Sequence, residues 1–207
     1  MGTDFTGLVL GGYILMAYSI ASVLWLAYGS GGGSIPVWTV VACVVFGIGS
    51  AGYSAFLFAQ GKGRDLWQSP LFFWHLLAQA VSAGAATLIL VGLVAGLNDQ
   101  VMVAMATVLL VSLVTTGALV LGEVSLTPVS EDVRRATELL TCGALREKFW
   151  GLFIAIGIAL PVIFLVWAGA QEQASWLLHP LSALLALVGL WVFENLWVEA
   201  GQAVPLS

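Results

Sequence analysis

Tyr53, His75, Gln79, Glu123 and Glu194 stand in or at the edge of long apolar runs of this sequence. A phenol, an imidazole, an amide and two carboxylates can donate, accept and exchange protons. Each is expensive in apolar surroundings: a charge at the centre of a membrane helix costs about 2.5–3.5 kcal/mol, so such residues are read first as functional. As a set they suit a hydrophobic ligand with two polar oxygens, such as a quinol. That ligand needs apolar walls, hydrogen-bonding groups below the lipid headgroups, and an acid or base to exchange its protons. For each residue alone the commoner reading is structural, because His and Tyr near a membrane interface usually belong to its polar and aromatic belt. The two cysteines, Cys43 and Cys142, lack Cys-x-x-Cys spacing, so no metal site is expected in this chain.

The elements that hold these residues follow from composition. With 60% hydrophobic and 8% charged residues, the chain lacks the polar surface of a water-soluble domain, in which roughly 25% of residues are charged. No nucleic-acid partner is expected. Six stretches reach the ~20 apolar residues that a bilayer core requires: Gly7–Tyr28, Pro36–Ala59, Ser69–Ala95, Val101–Gly122, Phe149–Ala168 and Trp176–Trp197. The first is too long for a signal-peptide core and has no basic segment before it, so it reads as a membrane helix. The fold class is all-α, a polytopic transmembrane helix bundle forming one integral-membrane domain. Short connections make successive helices antiparallel neighbours.

Alternating the spans puts both termini and the second and fourth connections on one side, face A. All six basic residues fall there: Lys62, Arg64, Arg134, Arg135, Arg146 and Lys148. The other side, face B, carries Asp99 and Glu172. The positive-inside rule then places face A in the cytoplasm. Within the long fourth connection, Thr127 as cap and Pro128 at the first helical position predict a short helix over Val129–Cys142. Its apolar stripe is Val129, Val133, Ala136 and Leu140, and Gly143 stops it. This helix lies on the membrane surface or docks a soluble partner. Gly47, Ala51 and Ala55, and the cluster Ser82, Gly84, Ala85 and Ala86, mark close helix packing. Pro161 should disturb the fifth span. The nine tryptophans, most near span ends, read as an interfacial belt.

On this frame Tyr53 and His75 each lie six residues from face A, on the order of 10 Å deep. Gln79 is one turn below His75, and Glu123 and Glu194 are nearer the surface. All five are in the face-A half, whereas the face-B half offers His179 near its surface. A proton or solute transporter would need polar groups along the whole path. A structural anchor without ligand is the other alternative.

Several segments resemble one family. Ala51-Gly52-Tyr53-Ser54-Ala55-Phe56-Leu57 is similar to the Gly-x-Tyr-Thr-Gly-Phe-Leu motif of the polysulfide-reductase membrane subunits, the NrfD-like family. Leu66-Trp67-Gln68-Ser69-Pro70-Leu71 resembles the Trp-x-x-Pro-Leu that follows it. Glu138-Leu139-Leu140-Thr141-Cys142-Gly143, Phe149-Trp150, Gly157, Pro161 and Ala200-Gly201-Gln202 with Pro205 continue the match in order. The resemblance implies a membrane anchor of a respiratory oxidoreductase in a prokaryotic cytoplasmic membrane. It would bind quinone or menaquinone and carry no haem. It would exchange electrons with a docked iron–sulfur subunit that serves a catalytic subunit, often a molybdopterin enzyme. Tyr53 matches the family's quinone-site tyrosine, whereas His75, Gln79, Glu123 and Glu194 rest on depth and side alone. Lys62, Arg64, Trp67, Arg134 and Arg135 are the expected docking residues. The family typically has eight helices, whereas six are read here without the family's first two: another chain supplies them, the gene is split or shortened, or the site is built differently.

Overall fold

Apolar runs of this length bury their backbone polar groups by coiling into helices, which satisfy every internal N–H and C=O within one segment. The computed structural model describes residues 5–32, 34–60, 65–171 and 175–204, and all regular structure among them is helical. Lys62, Arg64, Glu172 and Pro205 lie outside the described residues. Among the described residues six helical stretches are long and apolar enough to cross a membrane. They are α1 (Phe5–Ser30), α2 (Val37–Ala59), α3 (Phe72–Ala95), α4 (Asp99–Ser125), a π-helical segment Lys148–Ala159 that continues as α6 (Leu160–Ala170), and α7 (Ser175–Ala203). The surface helix α5 spans Glu131–Thr141. The chain divides into two units, Met1–Gly61 and Lys62–Ser207.

The first unit is the α1–α2 pair. Small residues set its packing: Gly47 meets the Tyr18 ring, Gly49 meets Ile14, and a Cβ at Gly11 would overlap the ring of Tyr53. Contact positions rise along α1 as they fall along α2, so the helices are antiparallel. The expected close approach at Gly47 is present, and it lets a large ring lie against helix backbone.

The second unit packs α3, α4, the π segment, α6 and α7 around Ala85, Ala86, Ile89, Leu109, Leu113, Leu165, Ala183 and Ala186. Many large apolar side chains, Val94, Val111 and Trp191 among them, point outward, as lipid-facing residues do. Ser82 Oγ donates to Ser112 Oγ at 2.9 Å and so fixes the register of α3 on α4. Gly84 has open space at its side-chain position, so it is not part of this contact. Gly157 and Gly189 bring the π segment and α7 into backbone contact, where a Cβ on either would overlap the other's Cα. The expected disturbance at Pro161 is a change of helix type: the π segment ends at Ala159, and Pro161 sits just inside α6, where it has no N–H to give the carbonyls of the preceding turn.

Three expectations are corrected. The cap of α5 is Ser130, not Thr127: Ser130 Oγ accepts from the amide of Val133 at 3.3 Å. The helix therefore starts at Glu131, and Val129 is left 90% exposed outside the stripe that buries Ala136 and Leu140. The sixth span does not stop at Trp197 but runs to Ala203, because Ala200 and Gly201 are still buried there. In consequence Trp197 is a core residue, 3% exposed, rather than a belt residue.

Candidate functional site

Phe72 opens α3, and His75 follows within the first turn, its amide bonded to the carbonyl of Leu71 at 3.0 Å. Glu123 lies in the last turn of α4, which runs antiparallel to α3 in the register set by Ser82 and Ser112. The two meet with His75 Nε2 2.5 Å from Glu123 Oε2. At that distance one of the two atoms must hold a proton, since two facing lone pairs would repel. The side chain of His75 is 1% exposed and that of Glu123 is 12% exposed. The hydrogen bond therefore lies in a dry setting, where such bonds are electrostatically stronger than in water.

Aromatic rings make the setting dry. The His75 ring lies 6.1 Å from that of Phe193 and 5.9 Å from that of Trp197. Phe72 stacks on Trp197, and Phe153 packs on Phe193 at 4.5 Å. Phe193 and Trp197 are four residues apart on α7 and so share a face. The sequence reading missed this box, although that spacing was its signal.

Two features give the site unused capacity. His75 Nδ1 and both amide atoms of Gln79 are buried without a hydrogen-bond partner among the described residues. Such groups are costly unless a water or ligand satisfies them. Glu123 also lines a cavity of about 330 Å³, walled by Leu66, Ser69, Leu71, Leu126 and Val133. The carboxylate thus connects the buried imidazole to a space of the size that small molecules occupy.

Of the predicted residues, the structure brings together His75 and Glu123, with Gln79 one turn below. It does not bring Glu194 to them: Glu194 is exposed on α7, in a cleft with Asn195, Glu199 and Gln202. Tyr53 belongs to the first unit, its ring against Gly11. Trp67 is half-buried and packs on Gly201, with its indole N–H directed at the carbonyl of Trp197 at 3.5 Å. Arg134 is held by Glu131, with Nε 3.0 Å from a carboxylate oxygen, and by Glu138. The hydrogen bond from Arg134 draws the Glu131 carboxyl below its ordinary pKa, and the two carboxylates raise that of the guanidinium. Arg135 makes only a 3.7 Å contact to Glu131. Among the described residues no group of three or more His, Cys, Asp or Glu side chains is placed to hold a metal ion.

The sequence matches a family model described as Polysulphide reductase, NrfD, over residues 12–205. No curated protein matches it significantly.

Proposed function

The chain belongs to the NrfD family of oxidoreductase membrane subunits, and on that premise we propose that it is the quinone-reactive anchor of a respiratory complex. In this reading it binds quinone or menaquinone at the Glu123–His75 end of the second unit. It exchanges electrons with a docked iron–sulfur subunit, which serves a catalytic subunit of the molybdopterin class. The complex sits in a prokaryotic cytoplasmic membrane, with the basic face A inward. The observation that carries the reading is Glu123, which bonds a buried histidine on one side and lines a cavity on the other.

Oxidation of a quinol releases two electrons and two protons, so the site must accept protons where water is scarce. Glu123 is placed to take a proton from a ligand oxygen in the cavity. That proton neutralises the carboxylate, the His75 imidazole bonded to it is the base on hand for the second proton, and the Phe193–Trp197 box packs the imidazole and keeps bulk water away. His75 Nδ1 and the Gln79 amide offer hydrogen bonds beside the pair. The electrons leave for the partner's cluster. Tyr53 belongs to the first unit, and its role as a quinone ligand rests on the family motif alone.

Glu123→Gln tests this. It keeps the size and the hydrogen bond but cannot exchange a proton in the same way. A positioned base contributes about 10²–10⁴-fold, so quinol-linked electron transfer by the purified complex should fall about 100-fold or more. Activity from an artificial donor that feeds the partner directly should persist. An equal fall in both activities, or none in the first, overturns the assignment.

A further inference from the structure

The second unit holds another built cavity, at the end opposite Glu123. It measures about 820 Å³ and is bounded by the first turns of α4 and α7 and the last turn of α6. Asp99 and Glu123 both belong to α4, 24 residues apart, so at 1.5 Å per residue the two sites are separated by on the order of 36 Å along the helix. They face opposite sides of a bilayer.

His179 is the residue that makes this cavity more than a gap between helix ends. It lines the space, is 6% exposed, and has no hydrogen-bond partner among the described residues. A neutral imidazole has one donor and one acceptor to satisfy, and both are left to whatever enters. The next residue, Pro180, has no N–H to give the carbonyl of Trp176 one turn back, so the helix leaves a backbone acceptor open at the same end. Val103, Leu110, Leu165 and Val166 give apolar walls. Asp99 is the one charged residue among the lining groups. A carboxylate in the lining, with no cation among the described lining residues, disfavours an anionic phosphate and favours a neutral molecule that donates hydroxyl hydrogens.

We propose that this cavity is a second site for a membrane-dissolved amphiphile of the quinol class, with His179 accepting a hydrogen bond from a ring hydroxyl. It is independent of the Glu123 site: it uses other residues and needs no electron transfer.

The test is photo-crosslinking of the purified complex in phosphatidylcholine nanodiscs with a diazirine-bearing quinol analogue, mapped by mass spectrometry. Label is expected on peptides covering 99–110 and 165–179, competed by unlabelled short-chain quinol. His179→Leu should lower it by about tenfold, the usual consequence of removing one hydrogen bond from a buried polar contact. His179→Gln, whose amide can still accept, should retain most of it. No label above background, equal label in His179→Leu, or equal loss in both variants overturns the proposal. Competition by phosphatidylethanolamine but not by quinol also overturns it, since the occupant is then a lipid headgroup. Loss of label only at peptides around Glu123 touches the earlier reading and leaves this one standing.

Discussion

Both histidines of the chain are buried in the second unit, and their surroundings differ in kind. His75 is bonded to Glu123 and clasped by Phe193 and Trp197. His179 has an open cavity on one side and no protein partner among the described residues. The first has one ring nitrogen already paired by the packing of α3, α4 and α7, whether or not a ligand is present, and only Nδ1 left open. The second is finished only by what binds. Burial alone therefore does not distinguish a histidine that works from one that waits; the partner atom does.

The largest expected effect breaks this comparison on stability. Removing one member of a buried pair leaves the other uncompensated, which typically costs 3–5 kcal/mol. His75→Leu should therefore destabilise the purified protein by about 3 kcal/mol in denaturant unfolding. His179→Leu removes a polar group that had no partner, and should change stability by less than about 1 kcal/mol. The double variant His75→Leu with Glu123→Leu should recover much of the first loss, because the orphaned carboxylate is gone. Equal effects of the two single leucine variants would show that the His75–Glu123 contact contributes no more than packing.

The next effect compares the two units. Tyr53 belongs to the first, and its proposed ligand role comes from the family motif rather than from the acid–base pair. Tyr53→Phe keeps the ring that rests on Gly11 and removes only the hydroxyl. A lost hydrogen bond in an apolar site costs roughly 1–3 kcal/mol, so quinol turnover should fall on the order of 5- to 150-fold, with assembly intact. Unchanged quinol activity would confine the chemistry to the second unit.

Much of this was legible in the sequence, for particular reasons. Apolar length names a span almost by itself, so all six appeared, the C-terminal end of the sixth alone falling well short. Counting depth from face A put His75 and Glu123 on one side, because α3 and α4 run antiparallel. That they touch was not legible. It depends on register, which Ser82 and Ser112 fix through a bond no pattern announces. Trp197 was misread because a span-end position is the same for a belt residue and a core residue. Thr127-Pro128 imitated a helix start closely enough to hide Ser130, although the Glu131–Arg134–Glu138 spacing was the better guide. The π segment left no periodic trace of its own.

The smallest effect concerns α5, where the two docking arginines differ as the two histidines do. Arg134 is engaged by Glu131 and Glu138, whereas Arg135 makes only a long contact to Glu131. A cation already flanked by two carboxylates presents little net field to a partner. One with a distant carboxylate presents more. Both are exposed, so any attraction to a docked subunit is screened by salt and acts mainly on the rate of association. Arg135→Glu should therefore weaken assembly severalfold at low ionic strength and lose that effect at high salt. Arg134→Gln, which leaves two carboxylates without their shared cation, should act mainly on α5. That pairing also predicts a pH dependence for α5. Because Arg134 depresses the Glu131 carboxyl in the folded chain, its contribution is present above the unfolded carboxyl value of 4.5 and is lost as pH falls through the lowered one. Hydrogen exchange of the α5 amides, corrected for intrinsic rates, should show the helix loosening over that acid range in the wild type and not in Arg134→Gln. If instead Arg134→Gln weakens assembly more than Arg135→Glu, with the same salt dependence, the engaged arginine is the docking residue and the distinction drawn from its carboxylates fails.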